Sequence, residues 1–257
     1  MKSMAVLLLF FLVEWTSSAG APKPNIIGIL VDDMGFADLG CYGSEIPTPN
    51  LDQLAAGGLR FTHFHNDSRC SPSRASILTG LYSQEAGIGV LTDQRKGPDG
   101  ELLPGYLRHL NDNCVTIAEV LHGAGYLTAM SGKWHLGQEY GVGPWNGGFD
   151  RSLNSPAGGF YFPMDKNTQL FLNGHDIGRG GKDGVPGDWY STDLWTGYGL
   201  KFIDEAQAAR KPLFLYLAYN ALTFRWRRWP KTSPNFAAST WSAGTSCAMH
   251  AMLVKSS

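Results

Sequence analysis

Residues 25–33 read NIIGILVDD, a continuous apolar run rich in β-branched residues that stops at two aspartates. A run of this kind suggests a strand buried on both faces, as in a parallel sheet whose two sides are covered by helices. Working outward, Pro49 opens TPNLDQLAAGG, a short helix with proline in its first turn and glycines at its end, and Leu59 to Phe64 reads as the next strand. Cys70 then starts a helix, CSPSRASILTG. Thr116 to His122 (TIAEVLH) is a periodic segment that stops at Gly123 and Gly125, before a short strand from Tyr126 to Met130. A helix near Leu194 to Ala209 leads to LFLYLAY, Leu213 to Tyr219, a second buried strand. Strands alternating with helices predict an α/β fold: a mostly parallel sheet with helices on both faces. Residues 137–188 are rich in glycine and aromatics and read as loops.

The first 21 residues have a different character. Lys2 precedes an apolar run from Met4 to Val13 that is too short to span a bilayer, and small residues follow at Ala19-Gly20-Ala21. That is the layout of a signal peptide over 1–21, with cleavage expected after Ala19 or Ala21. The mature chain is thus expected to be exported, to periplasm, lysosome or medium. No later segment is apolar for long enough to span a membrane, so no stable membrane insertion is expected. The 257 residues suffice for one core, and a net charge of −1 argues against nucleic acid or an anionic membrane as the main partner. The four cysteines, 41, 70, 114 and 247, show no metal-like spacing; a Cys41–Cys114 bridge is one pairing the sequence leaves open.

In open α/β sheets ligands gather outside the carboxyl ends of strands, where Asp32 and Asp33 fall. Two adjacent carboxylates suit a hard divalent cation such as calcium or magnesium. A solvated acidic loop is the plainer reading of the pair taken alone, because unpaired surface carboxylates are common. Cys70 and Arg74, four apart, share one helix face, so Arg74 could steady an anion held at the helix N-terminus. A capped structural helix explains the same letters. Lys133 and His135, two apart, face one side of an extended segment. Taken singly, a solvated lysine and a packed histidine account for them. His63, His65, His109, His122 and His175 belong to no motif. Asn66-Asp67-Ser68 is a glycosylation sequon only in a eukaryote, and no role is assigned to it.

Together these residues carry a family likeness. CSPSRASILTG resembles the cysteine-proline-serine-arginine signature of the type I sulfatases, members of the alkaline phosphatase superfamily. GYLTAMSGKWH, Gly125 to His135, resembles their second signature, and VDDMGFADLGCYG, Val31 to Gly43, their amino-terminal metal motif. The resemblance covers Asn25 to Asn220 and implies an alkaline-phosphatase-like sheet, truncated, and a sulfuric ester hydrolase of arylsulfatase type. It implies that Cys70 is oxidised to formylglycine by a formylglycine-generating enzyme. The hydrated aldehyde would attack a sulfate ester with one hydroxyl and expel sulfate by deprotonation of the other. It further implies Asp32, Asp33 and the modified Cys70 as ligands of calcium or magnesium. Arg74 would steady the diol, and Lys133 and His135 would contact sulfate and diol. Relatives in the superfamily use the same signature on phosphonates and phosphodiesters, which makes such a hydrolase the alternative enzyme. A non-catalytic sulfate- or glycan-binding relic is the alternative of another class.

The likeness covers 22–221 and fails over 222–257. After Asn220-Ala221, where sulfatases continue with alanine, proline and a histidine, this chain has Leu222 and Thr223. Back-translated and read one nucleotide earlier, the tail can encode PHFPLEALAEDIAKFRGKYMVGWDKLR, which restores the proline and histidine and resembles the family's next segment. A frameshifted tail is therefore expected. The chain as written, lacking later strands and the helices that cover them, is expected to fold poorly and to be inactive.

Overall fold

The apolar run after Asn25 forms β1 (Ile26–Leu30) in the computed structural model, which describes residues 22–91 and 95–221. The other strands are β2 (Leu127–Lys133), β3 (Arg151–Ser155), β4 (Leu170–Leu172), β5 (His175–Gly178) and β6 (Leu213–Ala218). They form one sheet in the order β1-β6-β2-β3-β4-β5. β1, β6, β2 and β3 run parallel, and β4 and β5 close the far edge as antiparallel strands. The sheet is thus mostly parallel, as the alternation of strands and helices predicts.

The leucines of β6 explain its central place. Leu213, Leu215 and Leu217 point to one face, against α4 (Ser191–Ala209), which supplies Trp195, Tyr198, Phe202 and Ile203 at helical spacing. Phe214, Tyr216 and Ala218 point to the other face. There they meet Ala75 and Leu78 of α2 (Cys70–Thr79) and Ala118 of α3 (Ile117–Gly123), with Met130, Trp134 and Phe149 filling in. Helix α1 (Pro49–Gly57) carries proline at its start. α3 begins on a reciprocal cap: Glu119 N–H donates to Thr116 Oγ1, and Thr116 N–H donates to Glu119 Oε2. Such a cap stabilises the helix by about 1 kcal/mol.

Several expectations need correction. β1 is apolar at every position, yet it is the sheet edge and is half-buried throughout, because β6 covers one side only. β2 and β6, by contrast, are buried at every position. Leu59 to Phe64 is not a strand: its alternating pattern has no neighbour to pair with, and Leu59, Phe61 and Phe64 are 89%, 65% and 71% exposed. Residues 137–188 are not all loop, since β3, β4 and β5 lie there. Asn173 and Gly174, at φ 48° and 86°, turn the chain between β4 and β5, and Asn-Gly between short apolar runs is itself a hairpin signal. Cys41 and Cys114 are both free thiols. The signal peptide expected over 1–21 and the frameshifted tail expected over 222–257 lie outside the described residues. Among those described, no helix is long and apolar enough to cross a membrane.

Gly132, the next-to-last residue of β2, fixes how closely β2 and β6 approach. It sits at φ 124°, and a Cβ there would lie 1.9 Å from the Ala218 carbonyl oxygen. Gly132→Ala is therefore expected to destabilise the fold by about 3 kcal/mol, combining backbone strain with overpacking. A urea denaturation midpoint unchanged from the parent would refute this account of the strand contact.

Candidate functional site

Three chain ends converge at the carboxyl edge of the sheet. β1 delivers Asp32 and Asp33, held beside the end of β6 by Tyr219 N–H donating to Leu30 O and Asp32 N–H donating to Ala221 O at 2.9 and 3.0 Å. β2 ends on Lys133. α2 begins on Cys70, in the first turn of a ten-residue helix where backbone N–H groups favour an anion.

Arg74, one turn along α2, is fully buried and binds these parts together. Nη1 donates to Lys133 O at 2.7 Å and Nη2 to Tyr219 O at 3.3 Å, while Nη2 lies 3.6 Å from Asp32 Oδ1. Lys133 Nζ donates to Asp32 Oδ2 at 2.6 Å, and both side chains are buried. Gly158 leaves room for that lysine: a Cβ there would come within 3.2 Å of Nζ. Burial works to raise the Asp32 carboxyl, but Arg74 and Lys133 outweigh it and hold the group below the usual carboxylate range. The Cys70 thiol is pushed up, first by burial and then by Asp32, against the opposing pull of Lys133. It is therefore a neutral thiol at neutral pH, and a weak nucleophile as it stands.

The sequence-predicted residues Asp32, Asp33, Cys70, Arg74 and Lys133 thus come together. One carboxylate oxygen from each of Asp32 and Asp33 and Cys70 Sγ all lie within 4.8 Å of one another. As a donor set they fit a hard divalent cation in part. Two carboxylates are the right chemistry, a thiol is too soft, and an oxygen in its place would complete the match. His135 also adjoins the cluster, though not by strand alternation: β2 ends at Lys133, and His135 takes φ 60°. Burial, then Lys133 and Arg74, lowers its pKa to about 3, so the imidazole is neutral. Tyr219 and Gly158 escaped sequence reasoning. One contributes a backbone carbonyl and the other an absent side chain, and neither leaves a motif.

The lowered His135 value has a stability consequence. An unfolded histidine takes up a proton near pH 6.5 and this folded one does so only near 3, so below about 6.5 the unfolded chain binds more protons. Stability is fully present above that value and falls as pH drops from 6.5 toward 3. Asp32, with its lowered carboxyl, adds in the same direction at the acid end. The denaturation midpoint is expected to drop between pH 7.5 and 5.5, and His135→Gln to flatten the drop. An equal drop in the variant would contradict the assignment.

Comparison with known proteins agrees with this geometry. Residues 24–247 match the family model Sulfatase, a match that runs past Ala221. The arylsulfatase of Klebsiella aerogenes is 33% identical over 225 residues, covering 86% of this chain and 47% of that protein. Among solved structures, Ps i-CgsB in complex with k-i-k-neocarrahexaose superposes with a TM-score of 0.72 at 27% identity, covering 91% of this chain and 55% of that one. BT4656 in complex with its substrate D-glucosamine-2-N,6-O-disulfate superposes with a TM-score of 0.61 at 30% identity, covering 80% and 36%. The chain spans less than half the length of the curated relatives it matches. A parallel sheet with paired aspartates, the Cys70 helix and Lys133 at one edge, matched over most of its length by sulfatases, places this chain in the sulfatase family.

Proposed function

We propose that this chain is the part of a sulfuric ester hydrolase that binds and transfers the sulfate group, with Cys70 as the residue converted to formylglycine by a formylglycine-generating enzyme. The observation that carries the reading is the meeting of Asp32, Arg74, Lys133 and Cys70 at one sheet edge. When formed, the hydrated aldehyde supplies the nucleophile that a neutral thiol is not.

The chain's own residues prepare the rest. By formal charge Arg74 and Lys133 cancel Asp32 and Asp33, so the cluster alone does not favour an anionic ester over water. A calcium or magnesium ion held by Asp32, Asp33 and an oxygen on residue 70 supplies positive charge for the ester when bound. Lys133 is placed to turn its ammonium toward a sulfate oxygen, while Arg74, through two carbonyl contacts, keeps Lys133 and Tyr219 in place. His135, kept neutral by burial and by Lys133 and Arg74, adds no further positive charge beside them and offers an unpartnered ring nitrogen for a hydrogen bond. The solved relatives with sugar ligands support a sulfated carbohydrate as the substrate class.

Export through residues 1–21 and a shifted reading frame after Asn220 belong to the same proposal. The Sulfatase match runs through that stretch in the written frame, so the nucleotide sequence of the locus decides the frame. The functional test is turnover of 4-nitrophenyl sulfate and of bis(4-nitrophenyl) phosphate. Two chains are compared, the 257-residue chain and one continued in the second frame to family length, each made with formylglycine-generating enzyme. The longer chain is expected to hydrolyse the sulfate faster, and the shorter to be inactive. Preference for the phosphodiester would favour the alternative hydrolase, and activity in the shorter chain would refute the frame proposal.

A further inference from the structure

β1 leaves one edge of the sheet open, and its backbone decides what that edge can accept. Tyr219 N–H donates to Leu30 O and Asp32 N–H to Ala221 O, so the even-numbered residues turn their backbone groups toward β6. The N–H and C=O groups of Ile27 and Ile29, one residue out of phase, point away from the sheet, and no strand among the described residues pairs with them. Ile27 and Ile29 pack their side chains on the α4 side of the sheet and Ile26 and Leu30 on the other, all of them half-buried. The usual guards of an edge are missing: β1 contains no proline, no charge and no bulge.

The strand is also complementary to itself. IIGIL reads nearly alike in both directions about Gly28. Laid antiparallel on a second copy with a twofold axis at Gly28, Ile27 of each copy faces Ile29 of the other, and Ile26 faces Leu30. Ile27 and Ile29 then form the hydrogen-bonded pairs, which need the outward groups that those two residues hold free, and β-branched side chains meet across the strands. Gly28 faces its own counterpart in the non-hydrogen-bonded position, where two chains come closest. A slip of one residue sets outward groups of one copy against inward groups of the other, and a slip of two leaves strand residues unpaired. The flanks agree in charge: Lys23 stands as far before Gly28 as Asp33 stands after it, so a lysine of one copy falls toward an aspartate of the other at each end. A net charge of −1 sets little repulsion against the meeting.

We propose that the open edge of β1 binds a second copy of this chain, β1 against β1 and antiparallel, so that two sheets become one. The contact is small, a five-residue strand from each copy, so the dimer is weak and forms and separates with concentration.

The test is sedimentation equilibrium of the 257-residue chain from about 1 to 100 µM, a range suited to weak specific association. The parent is expected to pass from monomer to dimer. A twofold axis at Gly28 sets that position opposite itself, where like charges repel and opposite charges attract. Gly28→Lys and Gly28→Glu are therefore each expected to stay monomeric, and an equimolar mixture of the two to dimerise again. Within one copy a Cβ on Gly28 meets only Tyr216 Cδ2, at 4.0 Å, so each side chain has room, and recovery in the mixture excludes misfolding as the cause of the monomers. A parent that stays monomeric, its edge covered from within the same chain or left bare, overturns the inference, as does a parent that grows beyond dimers. Dimers in either single variant, or no recovery in the mixture, overturn it as well.

Discussion

Cys70→Ala is expected to remove sulfate-ester turnover from the frame-continued chain altogether, by on the order of 10⁴-fold or more, as loss of a nucleophile does elsewhere. Structure and chemistry agree on why the loss should be clean. Cys70 is half-buried, forms no disulfide and opens α2 rather than filling its core face, where Ala75 and Leu78 sit. Alanine is tolerated in a first helical turn, so fold and stability should change little. The Arg74–Asp32–Lys133 contacts do not pass through residue 70, so sulfate binding should survive while turnover disappears. Activity within tenfold of the parent would mean that the nucleophile lies elsewhere.

Arg74→Ala is expected to have the largest effect on stability. Its guanidinium is wholly buried and bridges the ends of β2 and β6 through two carbonyls while it neutralises a buried carboxylate. Truncation strands those carbonyls, removes one of the two cations beside Asp32 and opens a cavity. Breaking a buried ion pair of this kind costs about 3–5 kcal/mol, a large part of the roughly 5–15 kcal/mol that holds a domain together. Arg74→Lys should be milder for stability because it keeps the charge. One ammonium cannot span both carbonyls, so turnover should still fall by at least about tenfold. A denaturation midpoint for Arg74→Ala close to that of the parent would contradict the bridging role.

The legible parts of this protein are those whose chemistry is local. β6 declared itself through seven consecutive apolar residues, α3 through Thr116 and Glu119, and the site through motifs that end strands or begin a helix. What stayed hidden depends on distant partners. Nothing within NIIGILV says that β1 is an edge, because its missing neighbour is not written in it. Leu59 to Phe64 has the period of a strand and no strand to pair with. Lys133 and His135 appeared to share an extended segment, whereas the chain turns at His135. Asn154 and Arg108 reach the neighbourhood of His135 from separate segments, and no spacing records that meeting.

The central claim is that Cys70 is the precursor of the working group. Its most direct test is mass spectrometry of the peptide containing Cys70, from the 257-residue chain produced with formylglycine-generating enzyme. On this account the signature is read in the unfolded chain, and conversion is expected without the later half of the fold. The account predicts the mass loss of a thiol converted to an aldehyde, and capture of that peptide by a hydrazide. Recovery of the unmodified thiol alone, from cells that convert a control sulfatase, would contradict it.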